Sequence, residues 1–379
     1  MKADNEIQAF KISINQSVLD DLYNRLSHTR WARETTPNDW EYGTNSKYLH
    51  ELTEYWINSY DWRKHEAELN KFAQYKTKID NTEIHFIHER STHSDSMPLL
   101  LLHGWPDSFY LYHKIIHSLT DSFHVVVPSL PGFGFSDKVA MSGDATAEIM
   151  AKLMSRLGYT GFAVAGGDLG ANVASAMAVM FPENVKGIHL TLIFNYPTGR
   201  EDFSKLTEAE RRYVSQTQQW MFTQGAYVMM HSTKPQSLAQ GLNDSPTGLA
   251  AWMLSYIDTD AQNHDVEHAF GSRDEFLTNL MIYWATETIG SAIRTYAENA
   301  RSTYTQPGGP KSAQKSTVPA YISLFPRGVQ VPREWAERTL NVQRFAKMPR
   351  GGHFAPLEEP ELYTQEIRAA FTKIPSVSN

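Results

Sequence analysis

The stretch Phe162-Ala163-Val164-Ala165-Gly166-Gly167-Asp168-Leu169-Gly170-Ala171-Asn172 carries the clearest chemical signal in the chain: small apolar residues that end in a carboxylate set among glycines. The pattern predicts a strand, a sharp turn and a helix start. Gly166 and Gly170 stand two positions before and after Asp168, where any Cβ would collide across such a turn. A carboxylate presented there is a poor acyl-transfer nucleophile. It can instead attack an electrophilic sp³ carbon and form an alkyl-enzyme ester, which water must then cleave. An epoxide or an alkyl halide is the kind of electrophile that fits. The competing reading is an Asp N-cap, since Asp commonly precedes a helix, and the turn alone leaves both open.

A second reactive group lies near the C-terminus, in Pro349-Arg350-Gly351-Gly352-His353-Phe354. This turn follows a predicted last strand, Val342 to Met348, and precedes a final helix from about Glu361 to Ile374. A lone histidine is usually structural, but its place after the last strand sets His353 at the same sheet edge as Asp168, as a general base for water beside the ester. A third piece is His103-Gly104-Trp105-Pro106, directly after the continuously apolar run Pro98 to Leu102, which reads as a strand buried on both faces. A loop at that strand's carboxyl end presents backbone amides where open α/β sheets place ligands. The Trp105 and Leu169 N–H groups are therefore candidates for an anion hole. His103 reads as a structural residue bracing that loop.

These groups need a sheet to hold them. Residues 1–74 read as a helical, aromatic N-terminal arm, with Leu19, Leu22 and Leu26 on one face, followed by Trp31, Trp40, Tyr55, Trp56 and Trp62. It carries no catalytic pattern, and packing against the body is the simplest role; Arg30 to Arg33 and Tyr60 to Trp62 are the alternative of a partner surface. A core domain begins at residue 75 with a hairpin, Tyr75 to Ile79 and Thr82 to Glu89, around Asp80-Asn81. Strands are expected at His124 to Pro128, Phe162 to Ala165 and Ile188 to Phe194, alternating with helices at Ala145 to Leu157 and Ala171 to Phe181. This alternation predicts a mainly parallel sheet with helices on both faces. Gly132 and Gly134 read as a turn, because no third glycine opens a helix as a dinucleotide loop requires. Between residues 197 and 310 strand signals vanish and Met- and aromatic-rich helices take over, forming a cap over the sheet. Residues 311–379 return to the core, with a strand at Pro319 to Phe325.

Composition narrows the function classes. At 379 residues, 41% hydrophobic and 20% charged, the chain reads as an ordinary globular protein with a large core. A net charge of −7 without a dense Lys/Arg tract argues against nucleic acid or an anionic membrane surface as partner. The lack of cysteine excludes disulfides and thiolate chemistry, and the N-terminus shows neither a signal segment nor a spanning helix, so a cytoplasmic enzyme without a membrane anchor is the expectation. No His-Glu-x-x-His or similar spacing suggests a metal, and no cofactor is expected.

Taken with these motifs, nearly the whole chain resembles the microsomal-type epoxide hydrolases of the α/β-hydrolase superfamily. The resemblance rests on His103-Gly104-Trp105-Pro106, Gly166-Gly167-Asp168, Asn243 to Ala250 in the cap, and Arg350 to Ala355 with Glu358-Glu359-Pro360-Glu361. It implies an α/β-hydrolase fold, a mostly parallel sheet with a helical cap and an N-terminal arm, and cofactor-free hydrolysis of an epoxide to a vicinal diol. It also implies two cap tyrosines that polarise the epoxide oxygen, matched here by Tyr227 and Tyr296, which could not have been chosen from 18 tyrosines otherwise. A phenol is the right acid for a developing alkoxide at neutral pH. The apolar cap favours a small hydrophobic epoxide substrate, and a homodimer stays open.

Two departures from the family pattern stand out. Leu169 occupies a position where many relatives have tryptophan, which disfavours the alternative of a haloalkane dehalogenase. The family's third catalytic member, a carboxylate after the penultimate strand, falls here on Phe325-Pro326-Arg327-Gly328. Gly328 thus stands at the position of the missing acid, whose loss in a serine triad can cost ~10⁴ in turnover. Three explanations remain: a carboxylate from another strand end, an enzyme impaired in ester hydrolysis, or a family member that binds a ligand or protein partner instead. The usual alternative location offers Asn195, with Asp202 the nearest acid.

Overall fold

The computed structural model describes residues 6–32, 40–193, 197, 201–261, 264–305, 309–326 and 328–372, with the side chains at 260 and 304 outside that description. Nine strands are formed: β1 (Gln8–Phe10), β2 (Gln74–Ile79), β3 (Thr82–Glu89), β4 (Met97–Leu102), β5 (Phe123–Pro128), β6 (Phe162–Gly166), β7 (Val185–Leu190), β8 (Pro319–Leu324) and β9 (Asn341–Lys347). They make one sheet in the order β1-β2-β3-β5-β4-β6-β7-β8-β9, in which β1, β2 and β3 run antiparallel to their neighbours and the strands from β5 to β9 are parallel. The mostly parallel α/β-hydrolase sheet is therefore present.

The local reasons are legible in the residues. Leu99 to Leu102 of β4 are fully buried, each contributing ~1.5–3 kcal/mol of burial that a half-exposed strand would forgo. Asp80 and Asn81 both take positive φ, 48° and 68°, which is the backbone of a two-residue hairpin turn. β7 starts at Val185 and ends at Leu190, earlier than the expected span from Ile188 to Phe194. Its first residues pair with β6 despite the polar Lys186, whereas a reading by apolar runs began only after it; Phe194 lies outside the described residues. The arm contributes more than helices, since β1 adds an edge strand that three residues, two of them exposed, could not have announced.

Among the described residues no strand falls between Leu190 and Pro319, and the helices Glu208–Thr223, Ala226–Thr233, Pro235–Asp244, Pro246–Asp260, Val266–Ala269, Arg273–Thr286 and Ile289–Thr305 fill that interval. Several start on side-chain caps: Thr207 and Glu210 form a capping box, and Ser245 accepts the Gly248 N–H just before Pro246. The arm packs on these helices through hydrogen bonds from Tyr48 to Glu267, Tyr55 to Asp274 and Tyr60 with Thr278. None of the described helices is long and apolar enough to cross a membrane.

The contact that fixes the site is the packing of the turn after β6. β4 and β6 run in register with Leu102 beside Gly166, so the loops leaving both strands emerge together. A Cβ on Gly166 would stand 2.6 Å from the Gly170 carbonyl carbon, and one on Gly170 would overlap the Leu102 carbonyl oxygen. Gly166→Ala is expected to destabilise the protein by about 1–3 kcal/mol through this overpacking, read as a lower urea midpoint with unchanged slope. A midpoint equal to that of the parent would mean that the turn relaxes freely.

Candidate active site

Asp168 opens the helix Asp168–Met180 with φ +46°, a left-handed conformation that a non-glycine residue adopts at a cost of order 1–3 kcal/mol. The strain is found where the spacing of Gly166 and Gly170 places a sharp turn, and it aims a nearly buried carboxylate back over the sheet edge. Asp168 Oδ1 accepts the Trp105 N–H at 3.0 Å, and the carboxylate also receives the Leu169 N–H. Both amides singled out from the sequence thus converge on Asp168. Burial pushes the Asp168 carboxyl above its ordinary range, while His353 and the two amides pull the other way and leave the shift upward.

The loop carrying Trp105 is clamped. His103 Nδ1 donates to the Gly104 carbonyl and Nε2 accepts the Leu130 N–H, and burial lowers this imidazole to about 4, so it is a neutral brace. From the cap, Asn279 donates to the Pro106 carbonyl at 2.7 Å and accepts the Ser108 hydroxyl at 2.8 Å, while Tyr283 donates to the Asp107 carbonyl at 2.5 Å. Asp107 is a second buried carboxyl; it takes the Gly104 N–H at 2.7 Å, and burial together with nearby Asp168 raises it well above the usual carboxylate range. Two neighbouring carboxyls in low dielectric resist double ionisation, and the upward push is the stronger on Asp107, since His353 and two amides favour the charged form of Asp168.

His353 sits six residues past Lys347, the end of β9, and lines one cavity together with Asp168, Tyr227, Tyr256 and Gly328. Its turn is held by Glu358, which accepts the Phe354 N–H, and by an Arg350–Glu359 pair at 2.8 Å. The Tyr256 hydroxyl lies 2.9 Å from His353 Nδ1 and 3.2 Å from Nε2. Tyr227 reaches the cavity wall from the cap, its ring stacked on Trp105 at 5.3 Å and edge-on to Tyr256 at 4.8 Å. Tyr296 is not among the residues lining the cavity; it is buried in the same aromatic cluster, with ring centroids 6.2 Å from Tyr227 and 6.3 Å from Trp105.

Gly328 also lines this cavity, four residues past the end of β8, with φ +70° and nothing within 4 Å of where a Cβ would stand. Asp202 caps its own short turn at the surface, accepting from Ser204 and pairing with Lys205 at 3.1 Å. Asn195 lies outside the described residues. No group of three or more His, Asp or Glu side chains that could hold a metal occurs among the described residues.

Sequence reasoning missed four residues of this site: Tyr256, Asp107, Asn279 and Tyr283. Asn279 and Tyr283 are one helical turn apart and so share a face, and Tyr256 and Thr259 line the cavity with the same logic. Such spacing is ordinary in buried helices, and only the docking of cap on core gives it meaning.

The chain matches a family model described as epoxide hydrolase N terminus over residues 7–112, and one described as alpha/beta hydrolase fold over residues 97–303. It is 36% identical to epoxide hydrolase 1 of Sus scrofa over 96% of this chain and 88% of that protein. The structure of Aspergillus niger epoxide hydrolase superposes with a TM-score of 0.85 at 30% identity, covering 97% of each chain. Juvenile hormone epoxide hydrolase of the silkworm Bombyx mori does so with a TM-score of 0.87 at 27% identity, covering 97% of this chain and 95% of that one.

The raised carboxyl of Asp168 has a measurable consequence. A carboxyl whose folded pKa exceeds its unfolded value weakens the fold once ionised, fully above the folded pKa and not at all below the unfolded one. Asp168→Asn keeps both acceptor contacts in part and tolerates positive φ. It is expected to melt higher than the parent at pH 7, with the gap closing as the pH falls through the carboxylate range. A variant less stable than the parent at pH 7 would contradict the upward shift.

Proposed function

This chain belongs to the epoxide hydrolases of the α/β-hydrolase superfamily, and on that premise we propose that Asp168 is its nucleophile, His353 its general base and Tyr227 with Tyr296 its acids. The protein is an enzyme that opens an epoxide to a vicinal diol. The observation that carries the assignment of roles is the convergence of Asp168, with the Trp105 and Leu169 amides on it, and His353 in one cavity at the sheet edge.

In the first half-reaction an Asp168 oxygen forms a bond to an epoxide carbon, and the carbon–oxygen bond of the strained ring breaks. The developing alkoxide takes a proton from a cap phenol, which solvent later replaces. In the second, His353 removes a proton from water as the water oxygen bonds to Asp168 Cγ. The tetrahedral oxyanion forms at Oδ1, which already accepts the Trp105 N–H, while the Leu169 amide also donates to this carboxylate. Collapse breaks the Cγ–O alkyl bond, the imidazolium proton passes to the leaving alkoxide, and the diol departs. The substrate is a hydrophobic epoxide, consistent with a cavity wall that includes Leu192, Ile193, Leu324, Phe325 and Val329.

The missing acid bears on the second half. Gly328 faces the cavity at a left-handed φ, which aspartate adopts more readily than most residues, at roughly 1–2 kcal/mol. Gly328→Asp is expected to fold with slightly reduced stability and to break the ester faster than the parent in single-turnover kinetics. A folded variant with unchanged ester breakdown would show that His353 needs no charge from this position.

The roles themselves divide by step. Mixing His353→Ala with a simple aryl epoxide is expected to leave the alkyl-enzyme intact, seen as a mass increase equal to the epoxide and mapped to the Asp168 peptide. Tyr227→Phe and Tyr296→Phe should each slow formation of that adduct, by ~10²-fold where the donor is fully engaged. Undiminished adduct formation in both would reduce these phenols to packing.

A further inference from the structure

Tyr256 belongs to neither of the two tyrosine positions that the family resemblance nominates, yet its hydroxyl touches His353. It stands on the cap helix Pro246–Asp260, whereas His353 stands in a core turn beyond β9. The phenol oxygen lies 2.9 Å from Nδ1 and 3.2 Å from Nε2. An oxygen nearly equidistant from both nitrogens lies over the face of the ring, and a small rotation of the imidazole brings either nitrogen into line with it. A hydroxyl both donates and accepts, so it can serve whichever tautomer His353 adopts.

The phenol is held where it is. Tyr256 is 7% exposed, and its ring packs at 5.5 Å from Trp105, 4.8 Å from Tyr227 and 5.3 Å from His353, nearly perpendicular to the imidazole at 86°. Phe354, fully buried, packs edge-on against both rings at 6.5 Å and 4.8 Å. The hydroxyl is therefore the polar tip of a packed aromatic wedge, and its position is set by the docking of cap on core rather than by the His353 loop.

We propose that Tyr256 is a positioning residue for His353: its hydroxyl holds the imidazole in the orientation that activates water, and so ties the hydrolytic half-reaction to the closed cap. This rests on His353 being the general base. The alkylation step uses the Asp168 carboxylate and an acid at the epoxide oxygen but no lone pair of His353. Loss of the Tyr256 hydroxyl therefore acts on ester breakdown alone. A phenol fixes orientation without adding a negative charge, so Tyr256 works with any acid introduced at Gly328 and does not duplicate it.

The test is Tyr256→Phe, which keeps the ring and its packing. In single-turnover kinetics with an aryl epoxide, adduct formation should stay within about threefold of the parent while ester breakdown falls by about 10–100-fold, as a misplaced reacting group costs. The alkyl-enzyme should then dominate the steady state by intact mass. Unchanged ester breakdown overturns the proposal, and so does a fall in adduct formation as large as the fall in breakdown, which would make Tyr256 a donor to the epoxide oxygen. His353→Ala run alongside separates the premise: if that variant accumulates no ester, the assignment of the base fails, whatever Tyr256 does.

Discussion

A carboxylate must be kept ionised, aimed and nearly dry at a turn that no ordinary residue prefers, and most of the structure follows from that requirement. The buried charge of Asp168 is opposed by desolvation and relieved chiefly by two backbone amides and the nearby imidazole. Amides in fixed backbone cost nothing to reorient during the reaction, but they are useful only if the loops that carry them are rigid. This is why the register between Leu102 and Gly166 and the glycines across the turn matter more to chemistry than their size suggests.

The rest of the chain supports that point from three sides. The core sheet delivers Asp168 and His353 from the ends of β6 and β9, and the cap pins the Trp105 loop through Asn279 and Tyr283. The arm stands behind the cap, with Tyr48, Tyr55 and Tyr60 bonded to cap helices rather than to the site. A hydrogen bond between a cap phenol, Tyr256, and a core histidine, His353, closes the arrangement. Asp107 shows the same economy: a second carboxyl beside Asp168 is pushed toward its neutral form by burial and by that neighbour, and it braces the Gly104 amide.

Much of this was legible from residues whose local conformation is dictated by their type. The elbow glycines around Asp168, the hairpin at Asp80-Asn81 and the buried leucines of β4 each leave the backbone little choice, and the structure bears the reading out. β7 was displaced and β1 unseen because their ends are polar or exposed and are made strands by their neighbours. Among the tyrosines the limit is sharper. Tyr227 and Tyr296 came from family resemblance, and Tyr256 came from nothing in the sequence, because a phenol gains its role from what lies across the cap-to-core contact. Gly328 was visible as an absence, and the structure adds that its backbone is left-handed with open space where a side chain would begin.

The central claim is that Asp168 forms a covalent ester which water cleaves at the carboxyl carbon. The most direct measurement is a single turnover with enzyme in excess over epoxide in ¹⁸O-water, followed by mass analysis of both diol and protein. Ester chemistry predicts a first-turnover diol without the label and one ¹⁸O in the peptide that contains Asp168. Label in the diol and none in that peptide would mean that water attacks the epoxide directly, and the nucleophilic role of Asp168 would fall.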